Sequence, residues 1–525
     1  MFFAQHLCLP LLSRALREDF GETGAVHGIN DMGSTSAQTG ASCSKAGAPP
    51  IRQAMDKWLR QLLPETAITL CRNLRAWPSS GIMTVGTAFT GCDILAKCLE
   101  QCEQAWQEFF GAICTFDMKF GCEVVEDKRK FLHTQFPELP CIYEQVEDLS
   151  QLSAYNWVKE NMEVVPHVCG FAAGFTCRSR SPSNSSAAKN KGCIRAGSDS
   201  SGKAFHATQQ YIEKSRPEWV LLENITPLLQ DGPDSDSAYI KEWFASIGYA
   251  CECFVVAAEK YGSRVVRVRL YFVAFDVRMK LSIADSMFDN IRRALSCMEI
   301  DPLPMDLFLC DPSPPVDYTS RKAAKTDPKY QDEHMALFKN HSLPWPPDLG
   351  KAPGYLHDVL GVSTPRMQEV IIYLDRVFPW EQGPGHVEFI DVNCSLGRLV
   401  NASGTSPWHL DKVGAITTTM KLLKRSQKTR DSNVEYEFVH GISLMALTGW
   451  SPCMFIDNDF GKLPSNEELI HFAGNAYNCF ALGAIIIAMF TVWPLGLRQG
   501  EDASKGDAHC DQSDESEDAF QSSDS

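Results

Sequence analysis

The sequence has no surplus of positive charge: 49 Lys and Arg stand against 65 Asp and Glu, for a net charge of −16. Taken alone, that balance argues against a chain that holds nucleic acid by overall charge. The deficit is unevenly spread, because residues 501–525 carry nine acids against one lysine, which is half of the total. A like-charged, Ser/Asp-rich tail cannot bury apolar surface and is expected to be disordered. The body is therefore only mildly acidic, and local basic patches can still govern binding. Also missing, despite 20 cysteines, is any pair of CxxC knuckles or an HxxxH partner. Cys98/Cys102 and Cys251/Cys253 show helix and strand spacing instead, so no metal is expected. The apolar N-terminal stretch FFAQHLCLPLLSRAL lacks a basic n-region and a small-residue cleavage site. This argues against a secretory signal and for reduced thiols in an intracellular compartment.

What is present is ordinary globular composition, 44% apolar and 22% charged, over a length that suits two to four domains. Residues 1–80 read as an N-terminal extension and linker, with a Gly/Ser/Thr/Ala-rich stretch before the helix-spaced IRQAMDKWLRQLLPE. From Met83 onward, short apolar runs alternate with helical patterns (TVGTAF, ILAKCLEQCEQAWQEFF, CEVVED, EWVLLENI, VRLYFVAF). Buried strands punctuated by helices predict an α/β fold, a mostly parallel sheet with helices on both faces. Residues 81–275 are assigned to it. Residues 276–440, rich in Pro and loops, read as a smaller inserted domain. Within them KLLKRSQKTR places five cations in ten residues, either as a solvated face or as a phosphate-contacting segment. The run Ala476–Leu497 has no charge and is long enough to span a bilayer; a buried core helix gives the same signal.

Four segments carry candidate chemistry at predicted strand ends, where α/β sheets bind ligands. FTGCD (Phe89–Asp93) is a strand followed by a Gly-containing turn, which lets a nucleotide-like cofactor approach the backbone. Glu126 is expected to end the apolar strand CEVVED, where an acid can accept from a ribose diol. GFTC opens a loop with six Lys/Arg and eight serines as far as Lys203, expected to be mobile and cationic, with Cys177 at its hinge. EWVLLENI sets Glu223 and Asn224 after a buried strand, where a half-desolvated carboxyl can donate a proton. In YGSRVVRVRLYF, Arg267 and Arg269 share one strand face because side chains alternate, which suits an anionic or carbonyl-bearing substrate.

This series resembles the C5-cytosine DNA methyltransferase family. FTGCD is similar to its F-x-G-x-G cofactor loop, GFTC to its Pro-Cys-Gln nucleophile motif, ENI to Glu-Asn-Val and RVR to Q-x-R-x-R. SLMALTGW is similar to the segment after the target-recognition domain, and GNAYNCFALGAIIIAMF to the last motif. The resemblance implies a Rossmann-like S-adenosylmethionine (SAM) domain completed by 465–498, with 276–440 as the target-recognition domain and 499–525 as tail. It implies Cys177, Glu223, Arg267 and Arg269 in catalysis, and Phe89, Gly91, Glu126, Asp148 and Asn475 around the cofactor, with Glu144, Gln145 and Glu147 of EQVEDL as alternatives to Asp148. It also implies DNA as substrate, a nuclear location in a eukaryote, and a buried rather than membrane-spanning Ala476–Leu497. Arg178 and Arg180 are expected to favour the Cys177 thiolate. An RNA methyltransferase of the same fold, or a catalytically silent nucleic-acid-binding relative, are the alternatives. Departures from the family stand at Asp93 (for Gly), Thr176 (for Pro), Arg178 (for Gln) and Val265 (for Gln).

Overall fold

A computed structural model describes residues 49–75, 82–279, 286–310, 314–319, 328–400, 406–451 and 464–493, apart from positions 113, 182, 183, 185, 231 and 395, together with position 455. The N-terminal stretch, the Gly/Ser linker and the acidic tail lie outside the described residues. Helices α1 (Pro50–Gln61) and α2 (Pro64–Arg75) precede β1 (Ile82–Ala88), α3 (Ile94–Phe110), β2 (Thr115–Cys122), α4 (Glu126–Gln135) and β3 (Ile142–Tyr143). There follow β4 (Ser153–Asn156), β5 (Asn161–Val164), β6 (Gly170–Ala173), α5 (Asp199–Ser215), β7 (Trp219–Asn224), α6 (Asp236–Ser246), β8 (Tyr249–Ala257), β9 (Val268–Asp276) and α7 (Ser286–Cys297).

These strands form one nine-stranded sheet in the order β5-β4-β3-β2-β1-β6-β7-β9-β8. The five central strands, β3 to β7 in that order, run parallel, and antiparallel pairs close both edges. Parallel strands covered on both faces need continuous apolar sequence, and all four residues of β6 are buried, as are Trp219–Leu222 of β7. One face packs against α5 and α6; the other packs against α1, α3, α7 and three C-terminal helices. The strand order reverses between β1 and β6, so the carboxyl ends of those two strands flank the crevice where such sheets bind ligands.

A second, four-stranded antiparallel sheet, β11-β10-β12-β13, is built from β10 (Val387–Asp391), β11 (His409–Leu410), β12 (Leu422–Ser426) and β13 (Glu435–Phe438). With α8 (Pro328–Asn340) and α9 (Pro365–Val377) it encloses its own core around Tyr318, Phe338, Ile371, Ile390, Leu423 and Phe438. The chain then returns to the first core through α10 (Gly441–Thr448), α11 (Asn466–Asn475) and α12 (Cys479–Phe490). Every residue of α12 is buried, so the apolar surface of the Ala476–Leu497 run, as far as Trp493, is taken up inside the protein.

Both expected domain boundaries shift. The stretch 1–80 contains α1 and α2, which are core elements: Trp58 and Met55 are fully buried, and Asn73 Nδ2 donates to the Phe490 carbonyl at 3.0 Å. The amphipathic spacing of IRQAMDKWLRQLL is therefore a docking face for the first core rather than part of a linker. Likewise α7 and the segment to Phe308 pack into the first core, so the inserted unit begins after them rather than at 276.

The five cations of KLLKRSQKTR are not a free basic face. Lys421 is buried over the Tyr318 ring at 4.3 Å, and Lys424 and Lys428 pair with Glu437 and Glu435. Arg425, 1% exposed, donates to Glu388 at 2.7 Å and stacks 4.0 Å from the Trp408 ring centroid. Four of the five charges are used within or beside the small sheet.

Candidate active site

The β1 turn is built first. Phe89, Gly91 and Asp93 all have positive φ (54°, 61° and 47°). Only glycine takes that region without cost, and Asp tolerates it better than most residues. The Thr90 amide and hydroxyl both donate to the Cys122 carbonyl at 3.1 Å, which fixes the turn to the end of β2. Asp93 takes up the αL conformation at the position where a glycine is expected, and caps α3 by accepting from Ala96 N at 3.1 Å. Its other oxygen, Oδ2, is buried and makes no hydrogen bond. The Thr87 hydroxyl eases the charge on Asp93 but is itself 2.9 Å from that of Thr90. Burial dominates, and pushes the Asp93 carboxyl up to about 7.

The acid at the end of β2 is Glu123, not Glu126. Glu126 is the first residue of α4, 62% exposed at the side chain, and pairs with Lys130 at 2.8 Å. The strand stops at Cys122 because its pairing with β3 ends there, at Cys122↔Tyr143. Val124 and Val125 are exposed, although their apolar character prolongs the strand pattern in the sequence. Glu123, 6% exposed, accepts from Gly91 N at 2.9 Å and Val125 N at 3.0 Å, so it is the carboxylate that meets the β1 turn. Asp148 lies half-buried in a short 3-10 turn after β3. Asn475 ends α11; its side chain folds back to the His471 carbonyl, and its own carbonyl lies 3.8 Å from where a Cβ on Gly91 would stand.

Across the crevice, β6 ends and GFTC begins. A Cβ on Gly174 would stand 2.7 Å from the Tyr477 hydroxyl, so this glycine is what lets that ring sit against the backbone. Asn224 at the end of β7 donates to the Phe175 carbonyl at 2.9 Å, tying the segment before Cys177 to the strand that carries Glu223. Thr176 accepts from Arg178 N at 3.4 Å, a long side-chain-to-backbone bond that makes a local turn where a proline would fix φ.

Cys177, Glu223, Arg267 and Arg269 converge. Arg269 Nε lies 3.0 Å from Glu223 Oε1, an ion pair out of line for a hydrogen bond. Burial, then the Glu223 charge, pushes the Cys177 thiol up, while Arg269 and Arg267 pull it down by less. Arg267 is 7% exposed and donates to the Ala476 carbonyl at 2.8 Å, leaving its Nε buried without a partner. Burial and the neighbouring Arg269 lower it to about 10. The Tyr271 hydroxyl is likewise buried and without a partner, close enough to feel Glu223 and both arginines. The Tyr477 hydroxyl, packed against Gly174, is raised first by burial and then by Glu223, Tyr271 and Asp93.

Several expectations for the loop change. Arg180 is turned away from Cys177: it donates to the Pro227 carbonyl at 3.0 Å and faces Asp236. Arg178 is exposed, and the cations that act on the thiol are Arg269 and Arg267. The segment after Cys177 is also anchored rather than loose. Ser179 and Ser201 exchange backbone-to-hydroxyl bonds at 3.2 and 3.3 Å, and Cys193 and Ile194 are buried in the core. Val265 has a packing reason: it is 1% exposed and bridges to Val413 of the inserted unit, where Val266 N donates to the Val413 carbonyl at 2.8 Å. Glu123, Tyr271 and Tyr477 were not foreseen. Glu123 could have been found as the first acid after the buried run; the two tyrosines carry no signal apart from the fold.

Residues 89–303 match the family model for C-5 cytosine-specific DNA methylase. No curated protein matches significantly. Among solved structures, a DNA modification methyltransferase encoded within an E. coli prophage is 15% identical, with a TM-score of 0.42 over 78% of this chain and 99% of that one. The S. pombe Dnmt2 methyltransferase is 10% identical, with a TM-score of 0.41 over 78% and 98%. Entamoeba histolytica methyltransferase EhMeth is 9% identical, with a TM-score of 0.39 over the same shares. The family match begins at Phe89 of the β1 turn and spans Cys177, Glu223 and both arginines, so residues 89–303 of this chain are similar to the C-5 cytosine-specific DNA methylase domain.

Proposed function

We propose that the chain methylates C5 of cytosine in DNA, with Cys177 as nucleophile. The observation that carries this reading is the convergence of Cys177, Glu223, Arg267 and Arg269 on the crevice beside the β1 turn. Two buried polar groups there make no hydrogen bond, Arg267 Nε and the Tyr271 hydroxyl, and Glu223 Oε1 has only the out-of-line Arg269 beside it. Unsatisfied buried polar groups are costly and rare, and a cluster of them marks a place that a ligand completes.

A stacked cytosine does not present its C6 to a thiol, so the base is extruded into the crevice. The Cys177 sulfur, deprotonated, adds to C6, and electron density moves to C5. Glu223 meets N3 and supplies a proton there as negative charge develops, while Arg269 holds the Glu223 carboxyl in place and faces the O2 edge. Loss of the C5 proton and departure of the Cys177 sulfur restore the ring. The family match over residues 89–303 implies S-adenosylmethionine, which would supply the methyl group accepted by C5. The residues present fit it: the turn at Gly91 leaves backbone open to a ligand, and Glu123 is the strand-end acid. Glu123 rather than Glu126 is the acid assigned to the ribose, with Phe89 and Asp148 on the adenine side. Arg267, bonded to Ala476, is a positioning residue for the C-terminal segment.

The test is transfer of labelled methyl from S-adenosylmethionine to cytosine-containing duplex DNA and, separately, to RNA. Label at C5 in DNA, absent in Cys177→Ser, is the expected result. Transfer to RNA alone would replace the DNA reading by the RNA one. Bound cofactor without transfer to either would make the chain a silent binder.

A further inference from the structure

The β4–β5 hairpin carries apolar surface that neither the fold nor the proposed chemistry uses. Leu152 (83% exposed), Val164 (76%) and Met162 (60%) are the three most exposed large apolar side chains among the described residues, and Tyr155 (44%) stands with them. Single exposed apolar residues need no explanation, whereas a contiguous group of them marks a contact surface. The register makes this group contiguous, because Tyr155 pairs with Met162, and Ser153 with Val164, across the hairpin. Ala154 is buried in the core under α5, so Tyr155 faces the other way, and Met162 and Val164 share its face. That is the side on which α4 lies: Trp157, just past β4, meets the His133 ring at 6.1 Å. β5 is also an edge of the nine-stranded sheet, so no further strand of that sheet covers its outer side. β4 joins β3 only at Tyr143↔Asn156, and therefore runs on past the carboxyl end of β3, beside the 3-10 turn that holds Asp148.

Charge selects the occupant. Residues 142–164 carry five acids against one lysine, and that lysine, Lys159, is already paired with Glu163 at 2.9 Å. An apolar face with such a border suits an apolar segment that brings cations. A second copy would set acid against acid, and the C-terminal tail, with nine acids against one lysine, is repelled in the same way. Residues 2–17, FFAQHLCLPLLSRALR, have the complementary composition: five leucines, two phenylalanines, two arginines and no acid. They are also within reach. α1, where the described residues begin, packs in one core with α3 and with Phe131 of α4, on the side of the sheet that the apolar face shares. Residues 18–48 can span up to about 100 Å, against about 40 Å for the full width of nine strands. We infer that residues 2–17 dock on the apolar face of the β4–β5 hairpin of the same chain, with Arg14 and Arg17 toward its acidic border.

The experiment is photo-crosslinking of the full chain with benzoylphenylalanine in place of Met162, followed by peptide mapping. The same replacement at Val255, 55% exposed on the opposite edge strand β8, is the control. The inference expects Met162 to link to residues 2–17 of its own chain and Val255 not to. Leu11→Asp with Leu12→Asp should abolish the link. Arg14→Glu with Arg17→Glu should lower its yield about fivefold, the effect of two exposed ion pairs. Replacement at Val164 must give the same link, and serves if the Met162 variant misfolds. A mixture of isotopically light and heavy chains tells links within a chain from links between chains. Links between chains would give the face to a second copy and overturn the inference. So would links from Met162 to another segment only, no link at all, or an equal yield from Val255.

Discussion

Arg425 and Arg267 are both nearly buried arginines, and their surroundings differ in one decisive respect. Arg425 places two N–H groups on one Glu388 oxygen at 2.7 and 2.6 Å, a third on the Phe378 carbonyl at 2.8 Å, and its plane against Trp408. The Arg267 guanidinium has one bond, to Ala476, and an unpartnered Nε, near a tyrosine hydroxyl that also lacks a partner. The first arrangement is closed, and its charges stabilise the small sheet. The second is open, and its charges are the ones that the proposed reaction would use. Burial alone does not separate structural from functional charge; the state of the hydrogen-bond inventory does.

If that distinction is right, changes in the two places affect different observables. Glu223→Gln should lower turnover by roughly 10²–10⁴-fold, the usual contribution of a positioned acid. At the same time it should move the pH profile of Cys177 alkylation downward, because the Glu223 charge now raises that thiol. Lost turnover with an unmoved or raised alkylation profile would break the assignment of Glu223 as the thiol's neighbour. Arg425→Met should cost about 3–5 kcal/mol in denaturant unfolding, because Glu388 is left buried and unpaired, while leaving S-adenosylhomocysteine affinity unchanged. Within the cofactor half, Glu123→Gln should weaken S-adenosylhomocysteine by on the order of tenfold, since a charged acceptor leaves the Gly91 amide. Glu126→Gln, on an exposed helix start, should leave both stability and cofactor affinity unchanged. A reversal of the last pair would restore Glu126 to the site.

Much of this was legible in the sequence, and the limits have physical causes. Short buried strands announce themselves as apolar runs, and the order of FTGCD, GFTC, ENI and RVR along the chain survives as convergence in space. Glu126 was misplaced because Val124 and Val125 continue the apolar pattern past the point where sheet pairing ends. Arg180 was misread because closeness to Cys177 in sequence says nothing of the direction taken by a side chain that Pro227 and Asp236 draw away. Trp58 is set outside the core by its sequence because a helix after a linker carries no mark of what covers its apolar face. Tyr271 and Tyr477 could not be found at all, since a strand tyrosine looks the same whether its hydroxyl is solvated or aimed into a crevice.

The proposed reaction requires a covalent bond between Cys177 and the target base. Incubation with S-adenosylmethionine and duplex DNA carrying 5-fluorocytosine, followed by denaturing electrophoresis, should give a stable adduct, because fluorine at C5 cannot leave as a proton does. The adduct should vanish in Cys177→Ser. An adduct that persists in that variant, or its absence from the unmodified chain under conditions where cofactor and DNA both bind, would contradict it.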